Sequence, residues 1–463
     1  MKSNTRRSFL KTSTLTGAGA FILPRISIAR PGDSASKRVN LAFVGCGGIA
    51  HTYIGQKDLN VVAMCDVDSG MIAETKKKFP YLEAAREFAD FRVMLDKMEK
   101  DIDIVVISTP DHTHFPATME AMQRGKHVFT QKPLTHDIWQ ARTLVKAAEK
   151  YGVHTVMGNQ GHTSNGIRQM RDWYDGGLLG QINQVNAWFS GGLKRVGGNL
   201  FPLPKQAVPE DLDWDLWLGP AQQTPYNKAY APFSWRQFQR FGCGKLGDWF
   251  CHICDGPVWT LDLYEPTVIE AVKLDEESPG RYPGGSIIQW DFPERGDKVA
   301  CTLRWHDGKN LPTAPADYSS GSPSEKAGKP KIPKFGSFWE GDGDSFYLDH
   351  RSSNPRYASR DKMIEAKKAN AFPPEKHPRV EKGGPLLELI RAVAGEGPEP
   401  GSNFAYAARL TEVGCLGMIA QCAGGRIEWD SKNMKITNRP ELNAMVKQPV
   451  RKGWKYGEDL WKS

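Results

Sequence analysis

Short apolar runs separated by helical stretches dominate residues 38–158. Val39–Val44, Asn60–Cys65, Ile104–Ser108, His127–Thr130 and His154–Met157 have strand character. Apolar runs without polar alternation predict strands buried on both faces of a parallel sheet. Between them, Phe115–Arg124 (stopping at Gly125) and Asp137–Lys150 have helical spacing. Strand alternating with helix predicts an α/β Rossmann-type domain. Beyond residue 158 the texture changes. Gln184–Phe189, Val268–Lys273, Ile287–Phe292 and Ala300–Trp305 alternate or are rich in β-formers, with no regular helical crossovers between them. They predict a large, mostly antiparallel sheet in an α+β domain over 159–463. Residues 191–245, rich in Gly, Pro and aromatics, and 306–383, polar with many Gly, Pro and Lys, are expected to be surface insertions that wall a substrate site. Leu386–Ala394 and Ala405–Ala423 have helical spacing and are expected to pack back on the core.

Composition leaves that picture intact. With 463 residues, 40% hydrophobic and 25% charged, the chain has room for two or three domains. Its 14 Trp, 20 Phe and 13 Tyr exclude disorder as a whole-chain description. No run approaches the roughly 18–20 apolar residues of a membrane-spanning helix. The formal charge is +8, but Lys2, Arg6, Arg7, Lys11, Arg25 and Arg30 stand in an acid-free head and carry six of those charges. The rest is close to neutral, which argues against a nucleic-acid face. The head instead reads as an address. A basic segment, a mild apolar stretch from Thr12 to Leu23 and a break at Pro24 describe a secretory signal. Arg6-Arg7 followed by Phe9-Leu10-Lys11 resembles a twin-arginine export signal. Residues 1–37 are therefore expected to be signal and linker, and the protein to be periplasmic or exported. Eight cysteines are too few for a disulfide scaffold in a chain this long. Cys251-x-x-Cys254 is read as buried small residues rather than a redox pair.

The first strand ends in Gly45-x-Gly47-x-x-Ala50. Gly45 permits a tight turn, Gly47 lets a pyrophosphate approach the backbone, and a small residue at 50 lets helix and strand pack closely. Gly45, Gly47, Gly48 and Ile49 are thus a candidate phosphate cradle at a helix N-terminus. Asp66 closes the next strand, 21 residues after Gly45, where a carboxylate bonds the adenosine ribose hydroxyls and repels a 2′-phosphate. NAD rather than NADP is expected.

Three clusters lie beyond this fingerprint: Thr109-Pro110-x-x-x-His114, Gln131-Lys132-Pro133 and Gly247-Asp248-Trp249-Phe250-Cys251-His252-Ile253-Cys254-Asp255. His252 suits a base for a hydroxyl proton, its unperturbed pKa being about 6.5. Asp248 and Asp255, at i−4 and i+3, would share its face on a continuous helix, so either could orient the imidazole. Lys132, at the C-terminal end of a strand, sits where open parallel sheets bind ligands, and its cation would favour a developing alkoxide. Thr109, Pro110, His114, Gln131, Lys132 and Gln160 fall where the cofactor should lie. His112-x-His114 has a metal-like spacing, but no carboxylate-rich partner accompanies it. His162 is left without a role. Of Trp188, Trp214, Trp217 and Trp235, most are expected in the core, with one or two available to stack on sugar rings.

With these clusters, the chain resembles the Gfo/Idh/MocA oxidoreductases, a family that includes glucose–fructose oxidoreductase and inositol dehydrogenases. The resemblance covers most of residues 38–430. It implies that Lys132 is the Lys of a Glu-Lys-Pro signature beside the nicotinamide, and that Asp248 and His252 match the family's Asp-x-x-x-His pair. Gln131 departs from the usual Glu and removes a carboxylate there. The implied activity is NAD-dependent oxidation of a secondary hydroxyl of a sugar, glycoside or cyclitol. The alternative is redox-neutral cleavage by a glycosidase or lyase through a transient keto-sugar. Outside the cytoplasm there is no free cofactor pool, so tightly bound NAD regenerated within one site is expected. An open antiparallel sheet face predicts a dimer or tetramer.

Overall fold

The computed structural model describes residues 39–462 apart from 57, 194, 195, 199, 233, 321–331 and 382. The expected export signal lies outside the described residues. None of the described helices is long and apolar enough to cross a membrane.

Six strands, β1 (Asn40–Val44), β2 (Asn60–Cys65), β3 (Arg86–Phe88), β4 (Ile104–Ile107), β5 (His127–Thr130) and β6 (Thr155–Met157), form a parallel sheet in the order β3-β2-β1-β4-β5-β6. β4 and β5 are buried at every position, and β4 accordingly reads as an unbroken apolar run, Ile-Val-Val-Ile. Strand order reverses between β1 and β4, the crevice where sheets of this kind take ligands. The second sheet has nine strands: β7 (Ile182–Ser190), β8 (Val268–Asp275), β9 (Gly285–Phe292), β10 (Cys301–Gly308), β11 (Phe335–Gly341), β12 (Phe346–Leu348), β13 (Arg356–Tyr357), β14 (Gly425–Asp430) and β15 (Lys435–Ile436). All its pairings are antiparallel except β7 with β10.

Three expectations need correction. The stretch 306–383 is not simply an insertion: it supplies β11 to β13, which extend the sheet beyond β7, and the helix Arg360–Lys368. Buried Phe338, Trp339, Phe346 and Leu348 drive this, in strands too short and too Gly-flanked to show a period. The helix expected at Phe115 begins a full turn earlier, at Asp111. The segment Gly244–Leu261 is two helices, Gly244–Ile253 and Asp255–Leu261, parted at Cys254. Pro257 has no N–H to give the Ile253 carbonyl, so the hydrogen-bond ladder resets there.

The described residues of 191–245 form an excursion without strands, packed on its own cluster of Leu203, Trp217, Leu218, Tyr230, Trp235, Phe238 and Phe241. Both predicted C-terminal helices return to the nucleotide domain. Leu386, Leu389 and Ile390 of Gly384–Val393 join the core on one face of the parallel sheet. The helix Phe404–Ala423 packs between Ile138–Tyr151 and the second sheet.

Candidate active site

Gly45 leaves β1 with φ +83° and donates its N–H to the Cys65 carbonyl at 2.8 Å. A Cβ there would stand 2.7 Å from the Ser108 carbonyl carbon, so the ends of β1 and β4 meet this closely only because residue 45 is glycine. The atoms nearest a Cβ on Gly47 would all belong to the flexible Met71 side chain. The helix that follows, Ala50–Ile54, is one short turn. It adds little dipole, and the loop backbone itself forms the cradle. Asp66 binds that loop from below, accepting from Cys46 N–H at 2.8 Å and Asp68 N–H at 3.0 Å. Burial pushes its carboxyl up to about 6, against the pull of these hydrogen bonds.

A cleft of about 470 Å³ runs from Gly45, Gly47, Gly48, Ile49 and Asp66 past Ser108, Thr109 and Pro110. Its roof comes from the 191–245 excursion, through Leu212, Trp217 and Trp235. The roof is tied to the end of β2: Ser69 N–H donates to the Asp211 carbonyl at 3.0 Å and Asp213 N–H to the Val67 carbonyl at 2.9 Å. Trp217 and Trp235 therefore face the nucleotide cleft, while Trp188 is fully buried under the second sheet.

Further along the strand ends is a row of buried polar atoms without partners among the described residues: Ser108 Oγ, Gln131 Nε2, Gln160 Oε1, and both Oδ1 and Nδ2 of Asn159. Buried polar groups are normally paired. Such a row, leading from a glycine cradle, fits a dinucleotide with its ribose hydroxyls and terminal carboxamide. Gln160 Nε2 does have a partner, the Tyr53 hydroxyl at 3.0 Å. Gln131 Oε1 faces Lys132 N–H at 3.4 Å.

Lys132 follows β5 and reaches the helix Gly244–Ile253. Its ammonium donates to Asp248 Oδ1 at 2.6 Å and to the Asp248 carbonyl at 2.7 Å. Arg236 Nε lies 3.2 Å from the same Oδ1. Burial alone would raise the Asp248 carboxyl, but Lys132 and Arg236 outweigh it and hold the group well below the usual carboxylate range. With Gln in place of Glu at 131, Asp248 is the carboxylate paired to Lys132. His252 stands one turn on from Asp248, 8% exposed, its ring 5.6 Å from Trp249. Burial, then the Lys132 charge, pushes its pKa well below 6.5, so the imidazole is neutral. Its Nδ1 is buried with no partner. Lys132, Asp248 and His252 thus come together.

Asp255 does not join them. The break at Cys254 turns it toward His162 Nδ1 at 3.0 Å and the Tyr406 hydroxyl at 2.5 Å. His114 holds backbone rather than facing the cleft: its Nδ1 lies 2.8 Å from the Pro133 carbonyl and its Nε2 3.0 Å from the Thr109 carbonyl. Burial lowers it to about 4, so the ring is neutral and its single N–H donates to one of the two carbonyls. His112 likewise spans the carbonyls of Phe241 and Trp217, and Asp111 accepts the Cys243 N–H at 2.9 Å. Cys251 and Cys254 are buried free thiols. Sequence reasoning missed Tyr53, Ser108, Asn159, Arg236 and Trp249. Only Asn159, beside Gln160 at a strand end, carried a positional signal.

Strand order, glycine cradle and roofed cleft place the chain among nucleotide-binding proteins of the Rossmann class. Within that class, the oxidoreductase family profile for an NAD-binding Rossmann fold matches residues 39–159, and its C-terminal α/β domain profile matches 163–279. Together they cover more than half of the chain, and the protein belongs to the Gfo/Idh/MocA oxidoreductase family. Glycosyl hydrolase family 109 protein 2 of Shewanella sp. (strain ANA-3) is 29% identical over 170 residues, 31% of this chain and 37% of that protein. Inositol 2-dehydrogenase of Salmonella typhimurium is 27% identical over 139 residues, 30% and 39% of the two chains. The match thus spans under half the length of these relatives. Among solved structures, the aldose-aldose oxidoreductase of Caulobacter crescentus aligns over 84% of this chain and 99% of its own, with TM-score 0.54 and 15% identity. The WlbA dehydrogenase of Bordetella pertussis, in complex with NADH and UDP-GlcNAcA, aligns over 85% and 99%, with TM-score 0.56 and 16% identity. These likenesses speak to the fold.

Proposed function

We propose that the protein oxidises a secondary hydroxyl of a sugar, glycoside or cyclitol, with NAD held in the roofed cleft. The observation that carries this is the meeting of Lys132, from the end of β5, with Asp248 and His252, from the helix Gly244–Ile253. Gly45, Gly47 and Gly48 would hold the pyrophosphate, Asp66 the adenosine ribose, and Gln131 and Asn159 the nicotinamide end. When bound, the nicotinamide supplies the hydride acceptor. The Lys132 ammonium, fixed by Asp248, polarises the substrate oxygen and favours its alkoxide. Neutral His252, with no hydrogen bond to a described residue, accepts the hydroxyl proton. Trp249 offers an apolar face to the sugar ring.

A second reading is favoured by the roof. A cofactor lying under Leu212, Trp217 and Trp235 would be released slowly, which suits a cycle that returns the hydride and cleaves a glycosidic bond. The hydrolase naming of some relatives supports it. Both readings accord with export of a folded holoprotein and with a dimer or tetramer.

Mass spectrometry of the purified protein is expected to find NAD rather than NADP. A panel of sugars and aryl glycosides then separates the two readings, by oxidised sugar product against phenol release without net redox change. Loss of turnover in His252→Ala with sugar binding retained is the expected result. Turnover at wild-type rate in that variant would remove His252 from the chemistry.

A further inference from the structure

The turn 349–354 enters the site from beyond β12, in the stretch that sequence reading takes as insertion. Asp349 organises it: Oδ1 accepts the N–H groups of Arg351 at 3.1 Å and Ser353 at 2.7 Å, and Oδ2 accepts from Asn354 Nδ2 at 2.8 Å. The turn is pressed onto the chain that follows Gln160. A Cβ on Gly161 would lie 3.2 Å from the Arg351 carbonyl, and one on Gly166 would overlap the Ser352 carbonyl. His350 is thereby set against Phe335, with ring centroids 4.1 Å apart, and 6.0 Å from Trp249, the neighbour of His252. Its Nδ1 is buried without a partner. Arg351 is exposed, and its guanidinium makes no ion pair or hydrogen bond with any described residue.

Charge in this corner is unbalanced. Lys132 and Arg236 share the single carboxylate of Asp248. Lys245, one turn before Trp249, lies over the Phe189 ring at 4.8 Å. Asp349 is occupied by its own turn, and burial raises the Asp111 carboxyl. The Arg351 Cα lies 3.3 Å from where a Cβ on Gly161 would stand, next to Gln160, whose Oε1 has no partner among the described residues. The turn that carries Arg351 also sets His350 against Phe335 and Trp249, whose rings lie 13° apart in plane, so it brings an oxyanion receptor to the rim of a flat apolar wall.

We propose that Arg351, with His350 beside it, anchors an anionic group of the substrate, so that the preferred sugar carries a carboxylate or a phosphate ester. The proposal rests on the sugar-oxidising reading above. It gives Arg351 a role in affinity and specificity, not in hydride or proton transfer.

The test uses the purified holoprotein with D-glucuronate, glucose 6-phosphate and glucose as probes. Calorimetry measures binding, and steady-state kinetics measure oxidation. At least one anion is expected to show a KM about 30-fold below that of glucose, and Arg351→Ala to remove that advantage while kcat stays within about 3-fold. Arg351→Lys should restore part of it, because a point charge replaces the planar fork. Preference for glucuronate identifies a uronate, and preference for glucose 6-phosphate a phosphate ester. Equal KM values for neutral and anionic sugars, or an anion KM unchanged in Arg351→Ala, overturn the proposal while leaving the oxidoreductase reading intact. Arg351-dependent binding of an anion with no oxidation of any sugar supports the anchor and overturns the oxidoreductase reading instead.

Discussion

Asp248 and Asp255 lie either side of His252 in the chain, and their fates follow from what reaches them. Asp248 meets Lys132 and Arg236 and stays ionised; Asp255 meets a histidine and a tyrosine. Lys132→Met should therefore lower kcat by about 100-fold or more, as loss of a cation at a developing alkoxide does. Arg236 still faces Asp248 in that variant, so the fold and the bound nicotinamide should survive, which absorbance of the purified protein checks. Asp66 supplies a pH dependence. Its carboxyl is raised to about 6 in the free protein, and the ionised form accepts from ribose hydroxyls more strongly than the protonated one. NAD affinity should fall as pH drops through about 6, when the acceptor is protonated. Asp66→Asn should weaken binding and remove this step, as read by NADH fluorescence titration.

At the scale of elements, glycines in one loop should fail differently. Gly45→Ala puts a Cβ against backbone at a positive φ, a strain of about 1–3 kcal/mol that should lower Tm. Gly47→Ala meets the flexible Met71 side chain first, so Tm should hardly move while NAD binding weakens. The elements around these glycines were legible because parallel strands are short, β-rich runs bounded by turn and helix residues: β2 and β5 have the bounds their runs predict. β3, β14 and β15 were not, since β3 and β15 are short and β14 is exposed at half its positions. The site was legible where a residue ends a strand, as Asp66 and Lys132 do. It was illegible where a distant turn delivers the side chain, as with Arg236 and Arg351. The backbone contacts of His114 were not legible either, because the spacing Thr109-Pro110-x-x-x-His114 does not show which carbonyls a buried ring will meet.

Across the whole molecule, the 191–245 excursion is tied to the end of β2 at the nucleotide cleft. Asp213 caps the roof helix Trp214–Leu218 by accepting the Leu216 N–H at 2.9 Å. Asp213→Ala should cost the roof about 1 kcal/mol. The nicotinamide retained through purification should drop, with little change in Tm. The helix Gly384–Val393 has a further consequence. It closes one side of a sheet whose strands were laid down before residue 158, and each of Leu386, Leu389 and Ile390 hides about 2 kcal/mol of oily surface there. A gene clipped after the last parallel strand would thus encode a fragment with a bare sticky flank. The smallest piece expected to stay dispersed in solution is one that keeps its distant C-terminal helices.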